Sequence, residues 1–166
     1  MYDPAEFALA GPDDFLRLDT RCQDLLRDFF AWLQEAEGGS LGPEEASPLA
    51  YAADRYLRDF VVDIQETGPA DGDPTLPRQY LGNWYIIHTL VPTHEEMDRI
   101  REALTQLYRF LEERYLIPAE TTTAVTAALT DAAFFRDRLE SFWDLEPDEI
   151  SGWRSVDDYR ARPRRA

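Results

Sequence analysis

A chain of 166 residues is the length of one domain and long enough to bury about 68–70% of its unfolded surface in a core of its own. Its 44% hydrophobic and 13% aromatic content excludes a disordered chain, and its apolar runs fall well short of the roughly 20 residues that a membrane span needs. The net charge of −16, from 33 acids against 17 bases of which none is lysine, excludes a broad phosphate-binding face and the lysine-dependent phosphate loop.

The opening "MYDPAEFALAGPDDF" lacks the charged and apolar regions of a secretory leader, so a cytoplasmic protein is expected. After "GPDD", Phe15, Leu18, Cys22, Leu25, Leu26, Phe29, Trp32 and Leu33 recur at helical spacing, and Gly38 and Gly39 supply the stop. The lone Cys22 falls on that stripe and reads as a buried, inert thiol suited to a reducing compartment. A second helix is expected to begin at the Ser47–Pro48 cap, with a stripe from Leu49 to Ile64 and a solvated face holding Asp54, Arg55, Arg58, Asp59 and Asp63. "GPADGDPTLP" is a loop by composition.

A shorter third helix is expected at about 78–90, through Leu81, Trp84, Tyr85 and His88, although "WYII" also has strand propensity. Thr93 and Glu96 form a capping box for a fourth helix, whose stripe of Met97, Ile100, Leu104, Leu107, Tyr108 and Leu111 runs to Pro118. A single fifth helix is expected through Val125, Leu129, Leu139 and Trp143. The predicted fold is therefore all-α, a single-domain helical bundle of about five main helices over residues 1–146. An extension over 147–166 ends in a basic tail, "RARPRRA".

Motifs for catalysis are weak. "GGSLG" has the spacing of a nucleophile elbow around Ser40, but a helix precedes it where a strand is required. His88 and His94 stand six apart, the wrong spacing for a shared helical face, and neither a metal nor a cofactor is expected. Asp54, Asp59, Asp63 and Glu66 read as a solvated acidic face interrupted by arginine. The acid excess itself matches a surface kept solvated in high salt.

The stretch "LTQLYRFLEERYLIP", with "YAADRYLRDF" and "LPRQYLGNW" before it, resembles over about residues 49–118 the helical core-binding, SAM-like domain of tyrosine recombinases, and is similar to helical segments of uncharacterised bacterial proteins. The resemblance implies a helical accessory domain for nucleic acid. The recombinase catalytic domain has no counterpart in these residues, and the matched helix interleaves Arg99, Arg101, Arg109 and Arg114 with five glutamates, so nucleic acid is an unfavoured partner.

Two functional expectations follow. The first is a non-enzymatic module for protein–protein interaction or assembly, a homodimer among the options, acting through aromatic surplus at Phe110, Trp84, Tyr85, Tyr108 and Tyr115. The alternative is a nucleic-acid accessory domain gripping phosphates with Arg160, Arg162, Arg164 and Arg165. An enzyme would have to assemble a carboxylate pocket from distant helices, with no motif behind it.

Overall fold

The computed structural model describes residues 2–154, and among them every regular element is helical, with no strand. Two short 3-10 turns, Pro4–Phe7 and Pro12–Asp14, lead into α1, Phe15–Gln34. The α1 stripe is buried as its spacing requires: Leu18, Cys22, Leu25, Phe29 and Leu33 are inaccessible to solvent. The helix ends at Gln34, and in the turn that follows Gly38 comes so close to the Trp32 carbonyl that a Cβ would sit 2.1 Å from that oxygen.

Helix α2, Pro43–Asp54, begins four residues before the expected Ser47–Pro48 cap. Pro43 takes the first helical position, and the Gly42 backbone N–H donates to Glu45 Oε2 at 3.0 Å, so the first turn is capped before Ser47 is reached. Pro48 lies inside the helix. From Arg55 to Val62 the same rod continues as a π-helix, in which the N–H of Asp63 reaches back to the Arg58 carbonyl and that of Gln65 to Phe60.

Beyond the 3-10 turn Pro69–Asp71, a continuous helical run comprises α3, Leu76–Gln79, a second π stretch, Tyr80–Trp84, and α4, Tyr85–Ile87. Backbone around "WYII" is thus helical, and the strand alternative is set aside. Helix α5, His94–Glu113, starts as its capping pattern predicts, with the Glu96 N–H donating to Thr93 Oγ1 at 3.2 Å.

The expected fifth helix is two: α6, Ala119–Thr130, and α7, Ala132–Trp143, divided at Asp131. Asp131 leaves the helical region at ψ 75° and its side chain caps α7 by accepting from the Phe134 N–H, so one residue ends one helix and starts the next. A short α8, Ile150–Arg154, returns Trp153 to the interior against Phe142 and beneath the Arg138 guanidinium, 3.6 Å above its ring. One connected cluster of buried side chains draws on α1, α2, both π stretches, α5, α6 and α7.

Candidate functional site

The five aromatics expected to share a surface do not. Phe110 is fully buried, against Phe29 at 5.5 Å and Trp32 at 5.7 Å between ring centroids, which corrects the expectation that it widens an exposed stripe. Helix α5 is covered on more than one side: α1 takes the Phe110 face, α2 also packs against the helix, and Tyr56 of the first π stretch meets Tyr108. Trp84, Tyr85 and Tyr108 are buried too, and Tyr115 alone of the five is exposed.

The buried three converge with Tyr56, Phe60 and Tyr80 where the two π stretches meet. Tyr80 packs 5.1 Å from Tyr56, 5.4 Å from Phe60 and 5.6 Å from Trp84. Beside this cluster, a pocket of about 80 Å³ opens between α2, α4 and α5, with Arg55, Tyr80, Tyr85, Glu96 and Arg99 in its wall. The hydroxyls of Tyr80 and Tyr85 are both buried; that of Tyr80 makes no hydrogen bond, and that of Tyr85 has Glu96 and Thr89 beside it.

Burial pushes both phenols above the usual tyrosine range, with Glu96 adding to the rise at Tyr85 and Arg55 opposing it at each. Both stay protonated at neutral pH. The Arg55 guanidinium stands 5.5 Å from the centre of the Tyr85 ring and 5.7 Å from that of Trp84, anchored by a hydrogen bond to the His88 carbonyl at 3.2 Å. Periodicity puts Arg55 on the solvated face, and the run Tyr80, Trp84, Tyr85 is the trace that the cluster leaves in the sequence.

The remaining candidates are dispersed. His88 stacks on Trp84 with 4.4 Å between ring centres, and His94 faces Trp143 and lies 3.4 Å from Glu140. Ser40 sits in a loop at φ 56° with no histidine near it in the chain. Asp54 pairs with Arg58 at 3.1 Å, and Arg58 also holds Asp19 at 2.8 Å, so the acidic face of α2 is partly neutralised from within. Among the described residues no three His, Cys, Asp or Glu side chains cluster as a metal site. Arg160, Arg162, Arg164 and Arg165 lie outside the described residues.

Tyr115 occupies the end of α5. The Leu116 N–H closes back on the Leu111 carbonyl at 3.0 Å, the six-to-one bond of a helix terminus that places its intervening residue in the left-handed region. Glycine normally fills that place, and here Tyr115 does, at φ 60° and 74% exposed. Alongside runs an open hollow of about 680 Å³ edged by Tyr2, Arg27, Asp28, Arg114 and Tyr115. No helix of the described residues is long and apolar enough to cross a membrane.

Compared with protein-family models, curated proteins and solved structures, the chain matches none of them.

Proposed function

We propose that the protein is a non-enzymatic interaction module, a single-domain helical bundle that meets a second copy of itself at the corner formed by Tyr115. The observation that carries this reading is a bulky side chain, exposed, on left-handed backbone. That conformation costs an L-residue about 1–2 kcal/mol, and strain of this kind collects at binding positions. The neighbouring hollow bears both signs of charge, Arg27 and Arg114 beside Asp24, Asp28 and Glu113. A two-fold contact sets the same patch against itself, so a patch of mixed sign is complementary to its copy. The nucleic-acid alternative rests on tail arginines outside the described residues, and no observation favours it.

Two chains of charge −16 repel one another, so association through Tyr115 should strengthen as salt screens them. Sedimentation of the wild type, Tyr115→Ala and Tyr115→Gly at low and multimolar salt tests this. The wild type is expected to dimerise as salt rises and both variants to remain monomeric, with Tyr115→Gly the more stable fold. A monomeric wild type throughout, or variants that dimerise equally well, would overturn the reading.

A further inference from the structure

The geometry points to a docking cleft beside the N-terminal turns, filled by this chain's own arginine-rich segment, residues 160–165, laid along the backbone at Leu9. The cleft encloses about 520 Å³ between residues 7–12 on one wall and Glu66, Thr67, Gly68, Ala70 and Asp71 on the other. Ala8 and Gly11 are extended, and no regular element lies between them. Arg17 Nη2 donates to the Ala8 carbonyl at 2.9 Å, and the Ala10 N–H donates to Asp14 Oδ2 at 2.9 Å. In a trans peptide the carbonyl and the N–H point in opposite directions, so the Leu9 N–H turns away from Arg17 and the Leu9 carbonyl turns away from Asp14. Neither has a hydrogen-bond partner among the described residues. A residue that offers its donor and its acceptor together is the unit to which an extended segment adds as a strand.

Charge and reach choose the segment. Glu66 and Asp71 line the cleft and no basic residue does, in contrast to the mixed hollow beside Tyr115. Glu66 also holds left-handed backbone at φ 51°, strain of the kind that collects at binding positions. On the cationic side, Arg160, Arg162, Arg164 and Arg165 supply four of the chain's 17 bases within six positions, and Pro163 disfavours helix at Arg162 before it. The described residues end at Arg154, whose carbonyl accepts from Asn83 Nδ2 at 2.7 Å. From Asn83 back to Asp71, along the helical run that starts at Leu76 and the short connection before it, the path is no more than about 30 Å. Residues 160–165 extend to about 20–36 Å beyond Arg154, so the cleft is within reach. Phe7, Phe15 and Ala70 supply apolar surface for the arginine stems. The cleft shares no residue with the Tyr115 hollow, and its occupancy does not depend on association.

Trypsin digestion of the full chain, with cleavage after Arg160 and Arg164 timed by mass spectrometry, tests the assignment. Leu9→Pro removes the donor, and Ala8, at ψ 141°, already suits a following proline. Slow release is expected in the wild type and release about tenfold faster in Leu9→Pro and in the Glu66→Gln/Asp71→Asn double variant, with helical circular dichroism unchanged. Equal release in all three would overturn the proposal. So would protection that grows with protein concentration, which would give the segment to a second copy. A labelled peptide of residues 158–166 supplies an independent reading: it should bind the chain carrying Arg160→Ala, Arg162→Ala, Arg164→Ala and Arg165→Ala, and not the wild type. Equal binding to both would mean an open cleft that serves another protein, and would overturn the assignment too. Should Leu9→Pro fail to fold, the double variant and the peptide carry the test.

Discussion

The hydroxyls of Tyr56 and Tyr108 lie 2.7 Å apart in the interior, joining the first π stretch to α5 across 52 positions of sequence. Burial keeps the Tyr108 phenol protonated well above the usual range, so the pair is a neutral hydrogen bond. Tyr56→Phe strands the Tyr108 hydroxyl and is expected to cost about 1–3 kcal/mol, whereas the double variant with Tyr108→Phe should recover part of that loss. Urea denaturation of both singles and the double measures it; strictly additive losses would show that the bond is not what couples the two helices.

Gly68 approaches the N-terminal segment so closely that a Cβ would lie 1.7 Å from the Phe7 carbonyl oxygen. Its φ of −113° suits any residue, so the obstacle is contact alone. Gly68→Ala should therefore destabilise by about 1–3 kcal/mol or more through displacement of the Phe7 turn. Gly11→Ala, with nothing within 4 Å of the new methyl, should change stability by less than about 0.5 kcal/mol. Comparable midpoints for the two variants in thermal unfolding would contradict the packing described here.

Burial pushes the Cys22 thiol up to about 12, and the side chain is inaccessible. At pH 8 the native protein is expected to resist a chromogenic disulfide reagent, with one equivalent reacting on the timescale of unfolding. Prompt modification under native conditions would place Cys22 at the surface.

Asp63 has its carboxyl raised above the ordinary range, first by desolvation and then by Asp59 and Asp19, against which Arg58 pulls it down. An acid raised in the folded state penalises folding once it ionises. The penalty is absent below the ordinary carboxylate pKa, grows as pH climbs to the raised value and is complete above it. Asp63→Asn should accordingly be more stable than the wild type at pH 7 and lose that advantage at pH 3, as read by paired denaturation curves. An advantage independent of pH would point to another cause.

Much of the helix pattern could be read from the sequence because burial on a single stripe leaves a periodic record. The α1 stripe and the Thr93 cap of α5 are where spacing and capping chemistry place them. Phe110 was misplaced because α5 meets α1 and α2 on different faces, and a helix covered twice has a wider apolar arc than one stripe accounts for. The Asp131 break was hidden because alanine and threonine on either side suit a continuous helix, and only the capping bond to Phe134 marks the division. The pocket was least legible of all. Its polar wall joins residues from Arg55 to Arg99 on four elements, and the π geometry of two of them arises from packing, to which residue periodicity is blind.

The π stretch from Arg55 to Val62 also gives this segment room to lose a residue. A π turn holds one residue more than the α turn it replaces, so removing a single residue there would let the rod close as an ordinary α-helix with its two ends near their present facing. The same deletion within the α-helical part, Pro43–Asp54, has no such turn to absorb it and would rotate everything beyond it by about 100°. Either Phe60, Val61 and Val62 or the Ala52, Ala53 and Tyr56 side would then have to leave the interior. Among chains descended from this one, a single-residue loss should therefore be better tolerated between Arg55 and Val62 than between Pro43 and Asp54.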